Sequence, residues 1–300
     1  MSFIYKELPL SSFAFTKVVI IESLDPTEFK SGTELCKFIS RLKGTHPGVP
    51  EAELIEVVGS DGFLNAIKTL TEESKRSGES PIVQIEMHGW DDKTGLAFPD
   101  GTSLSWHELA EILGDLNRAT GFNLVVSVAA CYGGHFIEAL RPHEPSPCFA
   151  MIGPTHEMSG QELLGSFSAF YGELLTVLDA SVALTAMHNH RIRQGGFLTT
   201  TAEDWFFKLA EGYLRTHCTP ERLRARGDAI IDELRREGSE FNQAIHQRIA
   251  RIGEELAFGF LDRRFPSFFM TNAVPENQER FASSLSEAKR RAKSFFDSQL

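Results

Sequence analysis

Five apolar runs, separated by segments of helical spacing, constrain this chain more than any other feature. "TKVVIIESL" (16–24) reads as a buried strand, and "AELIEVVG" (52–59), "PIVQIEMHG" (81–89), "FNLVVSVAACYGG" (122–134) and "PCFAMIGP" (147–154) read as four further strands. "SGTELCKFISRLKG" (31–44) has apolar residues at helical spacing, a Ser/Thr start and a Gly stop, and "DGFLNAIKTLTEESKRSG" (61–78) is a second helix with Asp61 at its start. "SWHELAEILGDLNRATG" (105–121) pairs Ser105 with Glu108 as a capping box does. Asp100-Gly101 in "TGLAFPDGTSLSW" (94–106) signals a hairpin. Two more helices are expected near 160–177 and 179–190. This alternation predicts an α/β fold, a largely parallel sheet covered by helices on both faces.

Beyond about residue 199 the pattern is helical and no strand is expected. The expected organisation is an α/β domain over 1–198 and a helical extension over 199–300. The net charge of -11 argues against broad electrostatic binding to nucleic acid or to anionic membranes. The run "KVVII" is too short for a signal-peptide core, and no apolar run approaches a membrane span. Cys36, Cys131, Cys148 and Cys218 form no CxxC pair or zinc-knuckle spacing, so reduced thiols in a cytoplasmic setting are expected. Cys36 is expected in a helix, Cys148 in the fifth strand and Cys218 near a helix end.

In a parallel sheet, ligands bind outside the carboxyl ends of the strands. Two of the predicted strands end there on reactive residues: His88 before Gly89, and Cys131 shortly before Gly133 and Gly134. Taken singly, each has an ordinary reading. A free cysteine is usually a small core hydrophobe, and His88 is one of ten histidines. As a pair they carry more weight. They stand 43 residues apart with one helix and one hairpin between them, so neighbouring strands would bring both to one sheet edge. A thiolate needs an activating base, and imidazole supplies one near neutral pH. Ala130-Cys131-Tyr132-Gly133 also fits the A-C-x-G part of the caspase pattern, in which a histidine lies about 50 residues upstream.

The chain resembles the caspase-like cysteine peptidases of the gingipain, legumain and separase kind, nearest to the bacterial caspase-like and CHAT peptidase domains. Four features in order carry the resemblance: "IEMHG", "GLAFPDGTSLSWHELAEIL", "VVSVAACYGG" and "FAMIGPTHEMSGQELLGSFSAFYGELLTVLDASVALTAMH". Together they cover roughly residues 14–195. The resemblance implies a caspase-like three-layer sandwich and a Cys131–His88 dyad that works through an acyl-enzyme without cofactor or metal. The N–H groups of Gly89 and Cys131 would form the oxyanion hole. In the loop "GPTHEMSGQE" (153–162), Thr155, His156, Glu157 and Ser159 become candidate substrate contacts. Ala129 stands where caspases carry Gln and several relatives an acidic residue at the S1 pocket, which leaves the P1 preference open. No Asp-processing linker is visible. The implied substrate is a protein or peptide, and the implied role is a regulated effector in a bacterial defence or cell-death system, with a sensor partner docking on the helical region.

Glu86 shares a strand face with His88 and is a candidate to orient it, although pairing with a basic neighbour is the plainer expectation. Trp90 and Asp91 are expected to shape the rim. The rival reading is a caspase-like fold kept as a non-catalytic scaffold or adaptor, and retention of His88 and Cys131 speaks against it. A serine hydrolase is disfavoured because no G-x-S-x-G is present, and a nucleotide-binding protein because neither a P-loop nor a G-x-G-x-x-G follows a strand. His188 and His190 in "MHNHR" invite a metal, but two residues apart on a helix they share no face. The five phenylalanines of "FGFLDRRFPSFF" (258–269) are expected to pack the helical region onto the core, or to make a partner surface if exposed, and "SEAKRRAKSFF" (286–296) is a basic amphipathic stretch.

Overall fold

β1 (Lys17–Ser23), α1 (Ser31–Thr45), β2 (Glu51–Glu56), α2 (Gly59–Ser77) and β3 (Pro81–Gly89) open the chain. The hairpin β4 (Gly95–Ala97) and β5 (Ser103–Ser105), α3 (Trp106–Ala119) and β6 (Val125–Ala129) follow. A 3-10 segment (Gly133–Ala139), β7 (Ala150–Pro154), α4 (Gly160–Val177), α5 (Ala180–Asn189) and β8 (Phe197–Thr201) come next. The computed structural model describes residues 12–139, 141, 144–190, 195–238 and 243–297, the side chains of 243–250 excepted. Arg191, at the end of the "MHNHR" segment, and residues 239–242 of the expected helical run lie outside the described residues.

The strand order is β2-β1-β3-β6-β7-β8. The first five strands pair in parallel, β8 runs antiparallel to β7, and β4 extends the end of β3 as part of an antiparallel hairpin. The sheet is therefore mostly parallel but mixed, with helices flanking it. Val18, Val19, Ile20 and Ile21 are all 0% exposed, which explains why β1 reads as a continuous apolar run and not an alternating one. β8 was not expected: its Thr199-Thr200-Thr201 are β-branched and suit a pleat, but their hydroxyls hide the apolar signal.

The connections place the open end of the sheet. The chain passes from β1 to β2 in one direction, then from β2 to β3, β6 and β7 in the other. Crossovers between parallel strands are right-handed, so a reversal of direction moves the connecting helix to the opposite face. Accordingly α1 packs with α4, and α2 packs with α3. The reversal falls between β1 and β3, which makes the crevice at their carboxyl ends a ligand-binding position.

The start of α1 differs from expectation. Ser31 does not cap it; the N-cap is Lys30, without a side-chain cap. Glu22, buried at the end of β1, accepts instead from the Gly32 N–H at 2.8 Å, the Thr33 N–H at 3.0 Å and the Thr33 hydroxyl at 2.9 Å. A carboxylate there satisfies orphan N–H groups and meets the positive end of the helix dipole. The Ser31 hydroxyl donates to Glu86 at 2.6 Å, the Gln84 amide donates to Glu86 at 2.7 Å, and the Tyr171 hydroxyl donates to Gln84 at 3.0 Å. This chain of polar groups crosses the interior from α1 through β3 to α4. Burial pushes the Glu86 carboxyl up to about 7.

The chain divides into two compact units, Met1–Arg141 with Ser146–Thr201, and Pro142–Pro145 with Ala202–Leu300. The second holds α6 (Ala202–His217), α7 (Pro220–Arg236), α8 (Gln243–Phe268), α9 (Asn277–Arg280) and α10 (Ala282–Asp297). Phe206, Phe265, Phe268, Phe269 and Phe281 are buried together, with Phe206 and Phe269 ring centres 5.1 Å apart and Phe269 stacked on Phe281 at 4.3 Å. Within α10, Arg290 and Arg291 reach Glu287 at 2.7 and 2.8 Å, and Lys289 reaches Asp262 at 2.6 Å. These carboxylates offset three cations of the basic stretch.

Candidate functional site

β3 stays buried through Met87 and emerges at His88, whose side chain is 49% exposed. The pairing with β4 pins this strand end: His88 lies opposite Ala97 and Gly89 opposite Leu96. The Trp90 N–H donates to the Gly95 carbonyl at 3.0 Å. Antiparallel positions alternate between bonded and non-bonded, so Gly89 falls in a non-bonded position and its N–H turns away from β4. A Cβ on Gly89 would run into the Cys131 carbonyl. Glycine is therefore required for the ends of these two strands to approach so closely.

β6 runs beside β3, with Glu86 opposite Ala129. Ala130 is fully buried, and Cys131 stands half-buried where the strand turns. The turn closes through the Gly133 N–H, which donates to the Ala130 carbonyl at 2.9 Å, and a Cβ on Gly133 would meet the Val128 carbonyl. Tyr132, next to the thiol, has φ +60, a left-handed conformation that costs a non-glycine residue about 1 kcal/mol or more. Among the described residues the Cys131 N–H has no hydrogen-bond partner.

Contacts from both residues tie this turn to the loop after β7. The Cys131 thiol points to the Met158 carbonyl at 3.8 Å, the Tyr132 N–H donates to the His156 carbonyl at 3.3 Å, and the Tyr132 hydroxyl donates to Glu157 at 3.1 Å. The Lys93 ammonium sits 4.5 Å from the centre of the Tyr132 ring. The bond to Glu157 pushes the Tyr132 phenol up, because loss of its proton would set two anions side by side.

A cavity of about 880 Å³ opens here, lined by His88, Gly89 and Cys131 together with Tyr132, Met158 and Ser159. Asp91, Glu157 and Glu162 add carboxylates to the lining, and His156 adds a second imidazole. The structure thus brings six of the eight sequence candidates together: His88, Gly89, Cys131, His156, Glu157 and Ser159. The two others lie apart. Ala129 is 1% exposed within β6 and does not line the cavity, so it makes no wall for a substrate side chain. Thr155 is tied to the segment before β8, donating to the Gly196 carbonyl at 3.1 Å, and is bonded to His156 Nδ1 at 2.7 Å. Ser159 also caps α4 in a reciprocal box with Glu162. Asp91 lines the cavity, whereas Trp90, 42% exposed, does not.

Neither reading of Glu86 holds. Its carboxyl pairs with Ser31 and Gln84 inside the protein, not with a basic side chain and not with the imidazole. His88 is held instead by Glu28, a residue that sequence reasoning missed: both Glu28 oxygens lie 3.0 Å from His88 Nε2. The signal that could have found it is topological. Glu28 follows the carboxyl end of β1, which pairs directly with β3. Cys148 and Cys218 are buried and Cys36 is half-buried in α1; burial pushes all three thiols up, away from the reactive thiolate. Among the described residues no three His, Cys, Asp or Glu side chains gather as metal ligands would, and His188 Nδ1 bonds the Leu184 carbonyl at 2.6 Å. No described helix is long and apolar enough to cross a membrane. Neither a protein-family model nor a curated protein matches the chain.

Proposed function

We propose that this chain is a cysteine endopeptidase with a caspase-like α/β core. One observation carries the reading: Cys131, His88 and Gly89 line a single cavity at the carboxyl ends of two adjacent parallel strands. Cys131 Sγ attacks the scissile carbonyl carbon as its proton passes to the imidazole of His88. The oxyanion that forms is met by the N–H groups of Gly89 and Cys131, one turned away from the β4 ladder and the other without a partner among the described residues. The imidazolium then protonates the leaving amine, the C–N bond breaks, and an acyl-enzyme remains. Water, deprotonated by His88, cleaves the thioester and restores the thiol. No cofactor is needed in this sequence. The substrate is a protein or peptide segment laid across the cavity. We assign the chain a regulated effector role of the bacterial defence kind, with a sensor partner engaging the helical unit.

The test is a diverse peptide library incubated with the purified protein and with Cys131→Ala, read by mass spectrometry. Cleavage by the native protein alone is the expected result. Silence from both, persisting when candidate partners are added, would favour a non-catalytic scaffold of the same fold.

A further inference from the structure

We propose that Glu28 is the positioning residue of this site, making the dyad a Glu28–His88–Cys131 relay across three adjacent strands. The inference rests on the peptidase reading and adds a member to it. The imidazole stands near the carboxyl end of β3, and the carboxylate and thiol follow the carboxyl ends of β1 and β6; the three strands lie side by side in the sheet. A carboxylate only accepts hydrogen bonds, so the ring proton must sit on Nε2, between the two Glu28 oxygens at 3.0 Å each. The neutral imidazole then carries its lone pair on Nδ1, the nitrogen left to receive the thiol proton. Among the described residues Glu28 is the only hydrogen-bond partner of this ring. Asp91, Glu157 and Glu162 also line the cavity, but none of them bonds the imidazole.

The loop that carries Glu28 is built to hold it. Asp25 Oδ1 accepts from the Thr27 N–H at 2.9 Å and from the Thr27 hydroxyl at 2.6 Å. The Glu28 N–H returns to the Asp25 carbonyl at 3.0 Å, and the Asp25 N–H donates to Glu28 Oε2 at 2.9 Å. One carboxylate oxygen is thus fixed by its own turn while both face the imidazole. Stability does not account for the pair: its side chains are 49% and 40% exposed, and a contact so open to solvent adds little to folding. The bond to His88 also holds the Glu28 carboxyl below the usual carboxylate range, which keeps it ionised and accepting. Glu28 is not among the residues that line the cavity, and its contact with the site is the bond to the ring.

Two measurements on the whole chain test this. The ring nitrogen shifts of His88, read by long-range ¹⁵N–¹H NMR, report which nitrogen carries the proton. The expected result is the Nε2–H form in the native protein, a mixed or Nδ1–H form in Glu28→Gln, and partial recovery in Glu28→Asp. Alkylation of Cys131 by iodoacetamide is then followed in a double-mutant cycle. Glu28→Gln is expected to slow it at least about tenfold, and to add nothing once His88→Ala is present. Unchanged ring shifts in Glu28→Gln, or an equal slowing with and without His88, would overturn the inference. Neither readout requires peptide cleavage, so the relay and the peptidase reading fail separately.

Discussion

Glu86 was legible in the sequence as an acidic residue on an apolar strand, but not as a buried acid without a cation. Spacing gives the face of a strand. It does not give what the opposing helix presents to that face. Here α1 presents a serine, and β3 itself presents Gln84, so the carboxyl finds two neutral donors and shares its surroundings with Glu22. Its folded-state value is raised from 4.5 to about 7. Between those values the folded protein keeps a proton that the unfolded chain releases, so the Glu86 contribution makes stability fall as pH rises from about 4.5 to about 7. Glu86→Gln removes that titration. Urea unfolding at a series of pH values should show a flatter profile for the variant across this window, with a difference on the order of a few kcal/mol at most. Parallel profiles for the two proteins would sink the assignment. The same limit hid Glu28: the partner of His88 comes from a turn 60 residues away, and only knowing that β1 and β3 are neighbours brings the two together.

At the level of elements, local rules succeeded where a motif completes itself. The Ser105–Glu108 box was readable because both halves lie within one turn, and it forms as expected with the Ser105 side chain accepting from the Glu108 N–H. Ser105→Ala should cost about 1 kcal/mol in chemical denaturation, since it orphans N–H groups at the start of α3. A loss below about 0.3 kcal/mol would mean that water replaces the cap at no cost. Local rules failed where the partner is distant. Ser31 looked like a cap for α1, yet the helix start is satisfied by Glu22, a side chain from the preceding strand, and the serine is spent on Glu86. β8 failed for another reason. An edge strand in which three of five residues are threonine carries β propensity without the apolar run that marks the central strands. The inner parallel strands β1, β3 and β6, buried on both faces, were the most legible parts for the converse reason.

On the scale of the whole molecule, charge is the property that sequence gives without ambiguity and that structure turns into a direction. The chain carries a net charge of -11. Three of its carboxylates, Asp91, Glu157 and Glu162, line the one cavity that also holds Cys131 and His88. Ala129 sits sealed in β6 and contributes nothing to the cavity wall. Under the proposed peptidase activity, the carboxylates of the rim would then dominate recognition. A concave site of one sign raises the local concentration of oppositely charged ligands and speeds their approach, and the effect weakens as salt shortens the screening length from about 10 Å at 0.1 M to about 3 Å at 1 M. Peptides that carry Lys or Arg close to the scissile bond should therefore be cut preferentially. Their kcat/KM should fall several-fold between about 0.1 M and 1 M salt, while that of neutral peptides should barely change. Glu157→Gln should narrow the gap between the two peptide classes, because it removes one carboxylate yet leaves an amide oxygen to accept from the Tyr132 hydroxyl. A preference for acidic or apolar peptides, insensitive to salt, would show that the carboxylates shape the loop and do not choose the substrate.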